Sequence, residues 1–77
     1  MILLTLNKDI VKELIEHKLR NVKKIISNLL SRWNEDSAET FLKKAKDGTY
    51  PEAENDAIDL KQLLLEEKKF IELLNNL

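Results

Sequence analysis

The sequence predicts an all-α protein: three helices, long, short and long, in an up-down-up bundle that dimerises through its long helices. Three observations carry this expectation. One Gly and one Pro in 77 residues, with Leu, Ile, Lys, Glu and Asn abundant, mean few turns and much helix. Apolar residues recur at steps of three and four over two long stretches, which keeps them on one stripe of a helix. Turn-forming residues punctuate the chain at residues 34–37 and 48–52 and so mark out a short middle helix.

The first helix is expected from Asn7 to Trp33. Ile15, Leu19, Val22, Ile26, Leu29 and Trp33 form its stripe, and Leu14, Ile25 and Leu30 widen it to the breadth of a bundle core. Asn7 is a good N-cap, with Asp9 where the helix dipole favours an acid, and Leu6 and Val11 hold the positions of a hydrophobic staple. Its length is about 40 Å at 1.5 Å per residue. Trp33, the largest side chain, closes the stripe and is expected to be largely buried.

A break is expected at residues 34–37, with Asp36 and Glu39 as a capping box for the second helix. The competing reading is one helix from Asn7 to Lys46, because Trp33, Ser37 and Phe41 roughly keep phase. Ala38, Phe41, Leu42 and Ala45 give the second helix its apolar face. Gly48 follows a lysine-rich last turn and suits a left-handed helix cap. Thr49 to Glu52 reads as a capping box with Pro51 in the first turn, so the last helix is expected from about Tyr50 to Asn75. Its seam is Ala53, Ala57, Leu60, Leu64, Ile71 and Leu74 in heptads, interrupted at Glu67. Glu67 either lays its stem along the core edge or pairs with Lys18, the matching interruption of the first helix.

Seventy-seven residues make one domain, spanning 1–77. Without cysteine there is no disulfide framework or thiolate metal site, a composition that fits a reducing, cytoplasmic compartment. The apolar opening, which ends at Asn7-Lys8-Asp9, is too short for a signal-peptide core or a membrane span. Net charge is only −1, but residues 1–33 hold seven Lys/Arg against three Asp/Glu, and residues 34–77 hold six against eleven. A basic helix lying beside an acidic one accounts for that asymmetry.

Nothing in the chain points to catalysis. The sole histidine, His17, is four residues from Glu13 and adjacent to Glu16. Helical metal sites need Glu and His three apart on two helices, so no metal or cofactor is expected. There is no phosphate loop, nucleophile elbow or zinc spacing, and a helical chain this small has little room for a desolvated acid–base pair. The stretch from Ala38-Glu-Thr-Phe-Leu through Gly48-Thr-Tyr-Pro-Glu-Ala53 to Ala57 resembles one tetratricopeptide hairpin in its Gly-x-Tyr-x-x-Ala turn. The likeness covers about twenty residues, lacks the upstream Leu-Gly signature and has no second copy, so it assigns no family.

The functional expectation is a self-associating protein–protein interaction module, a small regulator or adaptor with an unidentified protein partner. A short middle helix cannot cover two long apolar stripes, and uncovered stripe marks an interface. The homodimer is expected to bring together Ile15, Leu19 and Val22 of the first helix with Leu64, Ile71 and Leu74 of the last. The alternative is a nucleic-acid-associated regulator using the basic strip of Arg20, Lys23 and Lys24.

Overall fold

A computed structural model of the chain describes residues 7–77, which fold as α1 (Lys8–Arg32), α2 (Ala38–Asp47) and α3 (Glu54–Asn75). The long–short–long order is as expected. Leu6, one half of the expected staple with Val11, lies outside the described residues.

Asn7 caps α1: its side-chain oxygen accepts from the Asp9 backbone N–H at 2.9 Å. At the other end the helix stops in a Schellman turn. Asn34 adopts positive φ (55°) and its N–H donates to the Ser31 carbonyl, while Glu35 N–H reaches back to the Leu30 carbonyl. Asn tolerates this left-handed conformation better than other side chains with a Cβ. The single long helix is thereby excluded, although apolar phase permits it.

That turn consumes residues 34–36 and moves the next cap by one position. Ser37, in an extended conformation, caps α2 by accepting from Thr40 N–H at 3.2 Å, in place of the expected Asp36. Glu39 remains in the first turn and Lys44 and Lys46 in the last, complementing the helix dipole.

The start of α3 differs more. The backbone N–H and hydroxyl of Thr49 both donate to the Asp47 carboxylate, at 2.9 and 2.6 Å, so Thr49 cannot cap the next helix. Residues 50–53 instead form a hydrogen-bonded turn, Ala53 N–H to Tyr50 carbonyl, with Pro51 at its second position. The helix begins at Glu54, four residues later than expected, behind Ala53, which has no capping side chain. Glu54 and Asp56 supply the first-turn acids.

Direction follows from two contacts. The Trp33 indole N–H donates to Asp56 Oδ2 at 2.8 Å, joining the end of α1 to the start of α3. Phe70, about 21 Å further along α3, still packs on the buried cluster of Val22, Ile26, Leu29, Leu30, Phe41, Ala53 and Leu60. Phe70 reaches that cluster only if α3 runs back along α1. The long helices are therefore antiparallel, whereas an up-down-up path would set them parallel. The short α2 closes their joined end, and the molecule is elongated at 53 × 21 × 16 Å.

The core is concentrated at that closed end. Phe41, Ala53 and Leu60 are fully buried, and the rings of Trp33, Phe41 and Tyr50 lie with centroids 5.0 to 6.0 Å apart. Trp33 is partly buried, packed against the core cluster, with its indole N–H turned to Asp56.

Gly48 holds φ +89°, and a Cβ built there would meet nothing within 4 Å. Gly48→Ala should destabilise by about 1 kcal/mol through the penalty on positive φ alone, with no steric addition. Urea unfolding measures it; an unchanged midpoint would contradict the left-handed cap.

Candidate interaction surfaces

Glu35 joins three parts of the chain. Emerging from the Schellman turn, its carboxylate accepts from the Tyr50 hydroxyl and, at 2.9 Å, from Lys44 Nζ, and its side chain is only 7% exposed. It ties the first turn to the end of α2 and to the turn before α3. The Tyr50 hydrogen bond, then the Lys44 one, holds the Glu35 carboxyl below its ordinary value despite the burial that opposes it. The same contacts raise the ordinary values of Lys44 and Tyr50. Both donors converge on the same carboxylate oxygen, Oε2, so the cluster acts as a structural tie between the two turns.

Outside it, the described surface offers three faces. The first is the flank of the α1–α3 hairpin away from α2. The six residues expected at a dimer interface, Ile15, Leu19, Val22, Leu64, Ile71 and Leu74, prove to be mainly seam. Val22 is buried within the chain, and Ile15, Leu19, Leu64 and Leu74 are half-buried; Ile71 alone stands open, at 40% exposure. The reason is the antiparallel pairing, which turns both predicted stripes toward each other. Also open are Ile10, Leu14 and Ile25 on α1 and Leu73 and Leu77 at the end of α3, with Leu14 at 54%. Of these, the width of the sequence stripe had marked Leu14 and Ile25, but not that they would stay open.

The second face is the basic strip. Arg20, Lys23 and Lys24 are all exposed and in no ion pair among the described residues, on the side of α1 turned from the core. Only Arg32, at the helix end, makes the expected bridge to the acidic helix, 3.6 Å from Asp56 Oδ2. Glu67 is half-buried without an ion pair to Lys18, so its stem lines the core edge. His17 is exposed beside Glu13 and Glu16, and no group of three metal-binding side chains forms among the described residues.

The third face is an open groove of about 880 Å³ between α2 and the first half of α3. Leu42 and Ala45 line one wall and Ala57 and Ile58 the other, with Tyr50 and Pro51 closing one end. No helix among the described residues is long and apolar enough to cross a membrane.

Replacing Arg20, Lys23 and Lys24 by Gln should change stability by less than about 1 kcal/mol, as exposed unpaired charges do; a larger loss in thermal unfolding would mean that they are tied into the fold. Glu35 gives a pH test. Its folded pKa lies below the unfolded one, so its contribution is complete above the unfolded value, about 4.3, and is lost as pH falls through the lowered one. Glu35→Gln should flatten the acid limb of the stability–pH curve, and parallel curves for variant and parent between pH 5 and pH 3 would refute it. Comparison with family models, with curated proteins and with solved structures finds no match to this chain, so the functional reading rests on these surfaces.

Proposed function

We propose that the chain is a small helical interaction module that self-associates through the open flank of its long hairpin. The observation that carries this is the run of exposed large apolar side chains where the hairpin is only two helices thick. At 10 residues, α2 is about 15 Å long against about 38 Å for α1. It covers the closed end only. Trp33 opposite Asp56 sets the register, which brings Leu14 level with Asn75 and so places Ile10 and Leu14 beside Leu73 and Leu77. Two helices cannot bury stripes this wide, whereas a second copy laid against the same flank completes a four-helix layer. Small chains without disulfide or metal commonly gain their stability margin this way.

The relevant residues are therefore Ile10, Leu14, Leu73 and Leu77, with Ile71 and Ile25 at the margin, and the seam residues Ile15, Leu19, Val22, Leu64 and Leu74 beneath. Sedimentation equilibrium at tens of micromolar should give the mass of a dimer, and Leu14→Lys should shift it toward the monomer. A monomeric parent whose cooperative unfolding is independent of concentration would overturn the proposal.

Arg20, Lys23 and Lys24, exposed and unpaired among the described residues, favour a second reading, nucleic-acid association. It calls for micromolar, salt-sensitive binding to random duplex DNA. Its absence at low salt removes this reading.

A further inference from the structure

We infer that the groove between α2 and α3 is a docking site for an acidic amphipathic helix of a partner protein. The inference rests on the reading of the chain as an interaction module and adds the chemistry of the partner.

The groove has an apolar floor and a basic rim. Leu42, Ala45 and Ala57 are half-buried in it and Ile58 is 52% exposed, while Lys43, Lys46 and Lys61 stand at its edges. None of these three lysines makes an ion pair among the described residues. Lys44, between the first two in sequence, is turned away to Glu35. The lining contains one acid, Glu54, so the rim remains net positive. Such a rim complements acidic flanks.

The floor continues beyond the groove. Leu65 follows Ile58 by seven residues, two helical turns, and lies on the same line along α3 with 63% of its surface exposed. Anchors about 10.5 Å apart match the i, i+7 spacing of a partner helix laid along α3. An extended peptide would find no sheet edge here, since the described elements are all helices. A nucleic-acid backbone would use the lysines but leave the apolar floor in water. The helix satisfies both.

Fluorescence anisotropy with the full chain tests this. The probe is a labelled helical peptide with Leu at i, i+3, i+7 and i+10 and Glu on both flanks, and its control carries Lys in place of Glu. The Glu peptide should bind and the Lys peptide should not. Gln at Lys43, Lys46 and Lys61 together, or Ile58→Gln alone, should each weaken binding by about tenfold or more. Circular dichroism confirms folding of each variant, and Leu65→Gln replaces Ile58→Gln should that variant unfold. Failure of the Glu peptide to bind, or undiminished binding by the Ile58 variant, overturns the inference. So does displacement of the peptide by random duplex DNA that binds parent and Ile58 variant equally, which would mark a general polyanion surface. Self-association is read separately by sedimentation. A monomer that binds the peptide sinks only the dimer, and a dimer that does not bind it sinks only the groove.

Discussion

The hydrogen bond from the Trp33 indole to Asp56 fixes where the end of α1 meets the start of α3, and the rest of the molecule is laid out from that point. It works because both partners are anchored from behind. The indole ring is held against Phe41 and Tyr50, and Arg32 adds a cation-to-carboxylate contact to the same aspartate. With this level set, regular helix geometry decides which residues of the two long helices face each other all the way to their free ends. The aromatic cluster also gives α2 its seat, through the fully buried Phe41.

The Glu35 tie complements it on the polar side. Two consecutive turns, after α1 and before α3, are joined to each other by this tie. Glu35 links them through Tyr50 and Lys44, and a carboxylate this little exposed is acceptable only because both donors are present. Tyr50 thus serves twice, its ring in the aromatic cluster and its hydroxyl on Glu35. The closed end is consequently well packed and fully satisfied: no buried side-chain polar atom lacks a partner among the described residues.

The open end has the opposite character. Apolar side chains there are half-buried or exposed, since each long helix has one neighbour and α2 does not reach them. This contrast separates the two proposed surfaces. The flank near Leu14 is apolar and suits a copy of itself, whereas the groove by Ile58 carries a lysine rim and suits an acidic partner. The groove borders the Glu35 cluster through Tyr50, whose hydroxyl is turned to Glu35.

The sequence by itself determined the class, the number and the order of the helices, because apolar periodicity, Gly48 and the Asn7 cap are local signals read within a few residues. It also located the break after Trp33, although phase left a continuous helix open; the left-handed Asn34 resolved it. Caps proved less legible. Asp36, Ser37 and Thr49 are all competent capping residues; Thr49 is held by Asp47, and α2 begins directly after Ser37, which puts Ser37 and not Asp36 at the cap. What only the tertiary structure decided is direction. A stripe of apolar residues states that a helix has a buried face but not which way its neighbour runs, so parallel and antiparallel packing of α1 and α3 were equally compatible with Ile15, Leu19, Leu64 and Leu74. The Trp33–Asp56 contact, 23 residues apart in the chain, together with Phe70 packed on the core cluster, settled it; Val22 is buried, Ile15, Leu19, Leu64 and Leu74 are half-buried along the hairpin, and Ile10, Leu14, Leu73 and Leu77 stay exposed.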